Sequence, residues 1–136
     1  FISWPVQLEN NSFGRRNRGF NRIELGSGPV EYLRQLSISR IFLNNIQHIQ
    51  ASWPTMGIDV AQIAIESGAD DIGSTMMEEN VVSASGTTKV LASELELQRA
   101  IIRGGYNPIK RDSDYNLLTT KISEIEPMPT PVPIRL

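Results

Sequence analysis

The chain has 136 residues, 40% of them hydrophobic and 21% charged, with a formal net charge of −2. That balance suits one soluble domain, and no apolar run approaches the ~20 residues of a membrane span. It has no cysteine and a single histidine, His48, which excludes disulfides, thiolate metal sites, cysteine nucleophiles and a histidine-rich zinc site within the chain.

The chain begins "FISWPVQLEN" with no initiating methionine, and the expectation is a piece of a longer protein. Phe1–Leu8 alternates, with Ile2, Trp4, Val6 and Leu8 on one side and Ser3 and Gln7 on the other, followed by Glu9. This is a strand pattern, although Pro5 suits an end or bulge better than a central position. A loop rich in Gly, Asn and Arg follows. Its "GRRNRGFNR" segment, Arg15 to Arg22, has the basic-plus-aromatic look of a nucleic-acid contact. The run is short and the chain net acidic, so an exposed loop is expected, with a carboxylate-binding arginine as the secondary reading and no nucleic-acid partner.

In "GSGPVEYLRQLSISRIFLNN", Pro29 fits a first helical position and Glu31 a first turn. Val30, Leu33, Ser37 and Ile41 share a face, widened by Leu36 and Leu43, so this face is expected to pack on a sheet. Ile46–Ser52 alternates again, with Ile49 and Ala51, then Trp53, opposite His48, Gln50 and Ser52. "GIDVAQIAIESG" follows as a helix on the spacing of Ile58, Ala61 and Ile65, stopped by Gly68. Asp71–Thr75 is the third strand. Ser93 and Glu96 then form an S-x-x-E capping box ahead of a helix ended by Gly104 or Gly105. "EIEPMPTPVPIRL" closes the chain with prolines, and residues 121–136 are expected to be an extended tail.

A strand followed by a helix, three times over, indicates the α/β class with parallel adjacent strands. Polar or small residues sit near the C-terminal end of each strand: Gln7, Glu9 and Asn10, then Gln50 and Ser52, then Ser74 and Thr75. In a (β/α) barrel that end carries the active site. Residues 1–120 are therefore expected to be the C-terminal strand-helix units of such a TIM-like barrel. His48, earlier in its strand, is expected to be a hydrogen-bonded core residue. Met76 and Met77 are read as adaptable packing. Glu78 and Glu79 are either a helix-start pair or solvated loop on one reading, or pocket carboxylates on the other; Asn80 is a turn or a hydroxyl ligand. No Walker loop, G-x-G-x-x-G or G-x-S-x-G is present.

"FISWPVQLEN", "VEYLRQLSISRIFLNNIQHIQASW", "GADDIGSTMMEENVVSASGT" and "GGYNPIKRD" resemble the C-terminal part of radical S-adenosylmethionine enzymes of the menaquinone and deazaflavin group. "GSTMMEENVVSASGT" after "QASW" is most similar to the branch that cyclises dehypoxanthine futalosine. Aminofutalosine synthase and the tyrosine-using subunit of FO synthase are the sister activities, and a non-catalytic scaffold is the reading from another class. Pro54, after Trp53, departs from the aliphatic residue expected there. The resemblance implies S-adenosylmethionine and a four-iron four-sulfur cluster in the full-length protein, an electron donor to that cluster, and a cytoplasmic location. The cluster's Cys-x3-Cys-x2-Cys loop has no counterpart in this cysteine-free chain, so no metal ligand is assigned to it. Glu78, or alternatively Glu79, is the candidate general base that removes a proton after ring closure. Gln50, Ser52, Thr75, Asn80, Gln7, Glu9 and Asn10 are candidate substrate contacts.

Overall fold

The computed structural model describes residues 1–8, 11–17, 27–75 and 92–118. Its helices are α1 (Ser12–Arg16), α2 (Pro29–Phe42), α3 (Trp53–Met56), α4 (Ile58–Glu66) and α5 (Glu94–Arg103), followed by β1 (Lys110–Arg111) and β2 (Leu117–Leu118). Pro29 stands in the first turn of α2 with Glu31 beside it, and Arg40 lies in the last turn, each on the favourable side of the helix dipole. Ser93 caps α5 with the full capping box, its hydroxyl accepting from the Glu96 N–H while Glu96 accepts from the Ser93 N–H.

The three extended segments meet in the expected order. Gln50 bridges Ile2 on one side and Asp71 on the other, both in parallel sense. The Gln50 N–H donates to Phe1 O at 2.8 Å, the Ala51 N–H to Asp71 O at 2.8 Å, and the Asp70 N–H to Ile49 O at 3.0 Å. Among the described residues the pairing of these segments stays at single bridges, and no closed barrel is formed. Pro5 cannot donate in the first segment. Ser52 stands at the N-cap position of α3, and Trp53 opens a helical turn instead of extending its strand. Gly73 turns the third segment at φ 84°.

Small residues build the core. Tyr32, Leu36, Ile49, Ala51, Trp53, Ala61, Ala64 and Ala69 are buried together with Ile72, Ala92, Leu97 and Ala100. Alanines on α4 and α5 let helix backbones approach each other closely. Gly68, at φ 117°, is required where the exit of α4 crosses α2, since a Cβ there would sit 2.9 Å from the Arg40 Cβ.

The packing face of α2 is the expected one only in part: Leu33 and Leu36 pack on the core as the spacing suggested, and Tyr32 joins them. Tyr32 and Leu36 are buried, whereas Val30 is 64% and Ile41 77% exposed. Apolar residues surround this helix, so periodicity alone does not choose a side. Polar partners choose it. The Tyr32 hydroxyl accepts the Ser52 N–H at 2.7 Å, and the Arg40 guanidinium donates to Gly68 O at 2.6 Å and Gln47 O at 3.1 Å. Burial raises the Tyr32 phenol above its ordinary pKa, against the opposing effect of its Ser52 bond.

The hairpin of β1 and β2 was not anticipated. Lys110 pairs with Leu118 and Arg111 with Leu117, antiparallel. Asp112 organises its turn, taking the N–H groups of Asp114 and Asn116, each at 2.9 Å. The expected Pro-rich tail, residues 121–136, lies outside the described residues. Among the described residues no helix is long and apolar enough to cross a membrane.

Candidate functional site

A cavity of about 320 Å³ lies between the third extended segment, α5 and the hairpin. That is the lower end of the size range for small-molecule pockets. Ile72, Leu97 and Ile101 form an apolar wall, Ser74 and Thr75 form the rim, and His48, Asp70, Asp71, Arg111 and Tyr115 line its charged side.

Two adjacent carboxylates organise that charged side. Asp70 Oδ1 receives Arg40 Nη2 at 2.5 Å and the Ile49 N–H at 2.7 Å, while Oδ2 meets His48 Nδ1 at 2.7 Å. Burial would raise the Asp70 pKa, but the Ile49 N–H, His48 and Arg40 outweigh it and hold the carboxyl below its usual range. Asp71 Oδ2 receives both Arg111 Nε, at 3.1 Å, and Arg111 Nη2, and also the Tyr115 hydroxyl at 3.1 Å. Its Oδ1 accepts the Gly73 N–H at 2.8 Å. The Asp71 side chain is only 9% exposed, and every one of these bonds is charge-assisted. The bond to Asp71 raises the Arg111 pKa despite partial burial. Burial, followed by the Asp71 charge, raises the Tyr115 phenol.

The Tyr115 ring is held by two contacts. His48 stacks on it with centroids 4.1 Å apart and planes inclined by 10°, and the Arg111 guanidinium carbon lies 4.1 Å from the ring centre. His48 is thus hydrogen-bonded as expected but is not a core residue, since its side chain is 40% exposed. It stands at the N-terminal end of its segment, against Asp70 and the Tyr115 ring of the hairpin.

The residues singled out from the sequence are distributed unevenly. Thr75 is on the cavity rim. Gln50 is half-buried at the centre of the bridged segments, and its side chain lies over Gly73. Ser52 is fully buried; its hydroxyl pairs with Thr55 Oγ1 at 2.7 Å and does not open onto this cavity. Gln7 turns back on its own chain, donating to Pro5 O at 3.2 Å. Arg15 and Arg16 are exposed on α1. Glu9, Asn10, Arg18, Arg22, Met76, Met77, Glu78, Glu79 and Asn80 lie outside the described residues.

Sequence reasoning missed Asp70, Asp71, Arg111 and Tyr115 as a site. A signal was present in "KRDSDYNLL", where a turn-forming Asp/Ser/Asp/Asn cluster separates two short pairable runs. Which carboxylates its arginine would meet depends on chain pairing at a separation of forty residues, beyond any local pattern.

Among the described residues no group of three or more His, Cys, Asp or Glu side chains is placed to hold a metal ion. With no cysteine in the chain, its residues do not fit an iron-sulfur cluster.

A family profile described as the CofH/MqnC C-terminal region matches residues 1–124. The chain is 40% identical over 120 residues to a protein of Halalkalibacterium halodurans named cyclic dehypoxanthine futalosine synthase, covering 88% of this chain and 30% of that one. It is 41% identical over 118 residues to a protein of the same name from Streptomyces coelicolor, covering 87% and 27%. A 5-amino-6-(D-ribitylamino)uracil–L-tyrosine 4-hydroxyphenyl transferase of Archaeoglobus fulgidus is 38% identical over 119 residues, covering 86% and 33%. The chain therefore spans about a third or less of the length of these relatives. No solved structure matches it.

Proposed function

The chain belongs to the CofH/MqnC C-terminal region family, and from that premise we propose that it is the C-terminal portion of a radical S-adenosylmethionine enzyme forming cyclic dehypoxanthine futalosine in menaquinone biosynthesis. The observation carrying this reading is identity of 40% and 41% to two synthases of that name from different organisms, against 38% to the tyrosine-using transferase. Because the margin is narrow, product identity is the deciding property.

The chain's own residues do not fit the cluster, so no step through it is assigned here. In this reading the chain contributes wall and pocket to the enzyme. Gln50 and Thr75 offer an amide and a hydroxyl to the substrate, and the apolar wall of Ile72, Leu97 and Ile101 excludes water from it. Glu78, or Glu79, accepts the aromatic C–H proton released after ring closure, the electron that the ring-closed radical must also lose passing to a one-electron acceptor outside this chain, and Asn80 orients a hydroxyl beside it. Gln7, Glu9 and Asn10 complete the substrate contacts proposed from the sequence, whereas Ser52, fully buried and paired with Thr55 Oγ1, makes none with this cavity.

The test is Glu78→Gln and Glu79→Gln in the full-length protein. Loss of a general base lowers the ring-closed product by roughly 10²–10⁴-fold, while deoxyadenosine formation from S-adenosylmethionine persists. Parental product rates in both variants would remove the glutamates from the chemistry.

A further inference from the structure

We propose that Asp71, clamped by the hairpin, is a positioning residue that sets the cavity rim at Gly73–Thr75 and the Gln50 amide beside it. The inference rests on the functional reading above for the identity of the substrate, not for the geometry.

The geometry has three parts. First, one carboxylate joins two elements. Its Oδ2 takes Arg111 and the Tyr115 hydroxyl from the hairpin, and its Oδ1 takes the Gly73 N–H from the rim. An ion pair serving only to strap the hairpin down would leave the second oxygen free of the rim. Secondly, the rim is fixed at both ends of a short turn. Gly73 is at φ 84° and lies under Gln50, whose amide nitrogen a Cβ at Gly73 would strike and whose Cδ it would meet at 3.1 Å. Trp53 Nε1 then donates to Ser74 O at 3.3 Å. Movement of Asp71 therefore reaches the Gln50 amide and the Trp53 indole together.

Thirdly, the clamp holds a strained residue. Tyr115 has φ 64° and is the only non-glycine residue at positive φ among the described residues. A tyrosine keeps that conformation only where its surroundings over-determine it. Here His48 and Arg111 pack on the ring and Asp71 receives the hydroxyl. The strain is placed where it aims one hydroxyl at the shared carboxylate.

The test uses the full-length protein with Trp4, and every tryptophan outside this chain, replaced by Phe, so that Trp53 is the tryptophan that reports on the rim. Tyr115→Phe deletes the hydroxyl alone, and Asp71→Asn weakens both arms of the clamp. The expected result in each is a shift in Trp53 emission and a KM for dehypoxanthine futalosine raised roughly 10-fold with kcat changed less than about 3-fold. If Asp71→Asn does not fold, Tyr115→Phe carries the test alone. A folded Tyr115→Phe protein with parental Trp53 emission and parental KM overturns the proposal and leaves the hairpin a strap. A fall in kcat at unchanged KM also overturns it. If the parental protein does not convert dehypoxanthine futalosine, yet Tyr115→Phe still shifts Trp53 emission, the functional reading fails and the positioning of the rim stands.

Discussion

Replacing Asp70 with Asn removes one charge from the point where α2 meets the two central segments. The carboxylate receives Arg40 at 2.5 Å and both the Ile49 N–H and His48 at 2.7 Å. Asparagine still offers an oxygen to the Ile49 N–H, so the loss is the charge-assisted part of the cluster. Hydrogen bonds to charged groups contribute about 1.5–3 kcal/mol when shielded. The Asp70 side chain is 39% exposed, and solvent screening lowers the expected cost to about 1 kcal/mol. That corresponds to a fall in Tm of roughly 2–8 °C for a domain of this size. The pH dependence has a definite sign. Asp70 titrates below its ordinary range in the folded protein, so its contribution is present above the unfolded aspartate pKa and is lost as pH falls through the folded one. Thermal melts of the parental and Asp70→Asn proteins should differ near neutral pH and converge in acid well below the carboxylate range. A gap that stays constant into strong acid, or no gap at neutrality, would refute the electrostatic account of this corner.

Ser93→Ala should remove the capping box of α5 and cost about 1 kcal/mol, read as a lowered denaturant midpoint with an unchanged m-value. Combined with Glu96→Gln, the loss should be less than additive, because the two side chains cap each other. Ile41 and Phe42 are 77% and 81% exposed, so Ile41→Lys and Phe42→Lys should each change stability by less than about 0.5 kcal/mol. The same pair should reduce binding of an apolar dye such as ANS, whereas a large loss of stability would show that this side of α2 is packed.

Where helix signals were local, the sequence disclosed them. Pro29, the Ser93–Glu96 box, Gly68 and the spacing of Ile58, Ala61 and Ile65 each act within one or two turns, and each is found as expected. The parallel order of the three segments was also legible, because alternating strands separated by helices leave few other arrangements. The buried side of α2 was legible only in part, since Leu33 and Leu36 were named and Tyr32 was not. Its apolar residues surround the axis, and the choice is made by Tyr32 reaching Ser52 and Arg40 reaching Gly68 and Asp70. The extent of the strands was overestimated at Trp53, where Pro54 stands in a first helical turn. The charged side of the cavity escaped for a related reason: Asp70 and Asp71 look like an ordinary polar strand start until Arg40, His48, Arg111 and Tyr115 converge on them. Thr75, named from the end of its strand, lies on the cavity rim, while the clamp that holds its surroundings comes from a hairpin some forty residues away.

The central claim is best tested by the product formed by the full-length protein. Reconstituted with its iron-sulfur cluster under anaerobic conditions and given a reductant and S-adenosylmethionine, it should convert dehypoxanthine futalosine to the cyclic compound, identified by mass spectrometry and chromatography. Offered L-tyrosine and 5-amino-6-(D-ribitylamino)uracil instead, it should form no joined product. Transfer of the hydroxyphenyl group in that second reaction, with no cyclisation in the first, would contradict the account and assign the chain to the sister activity.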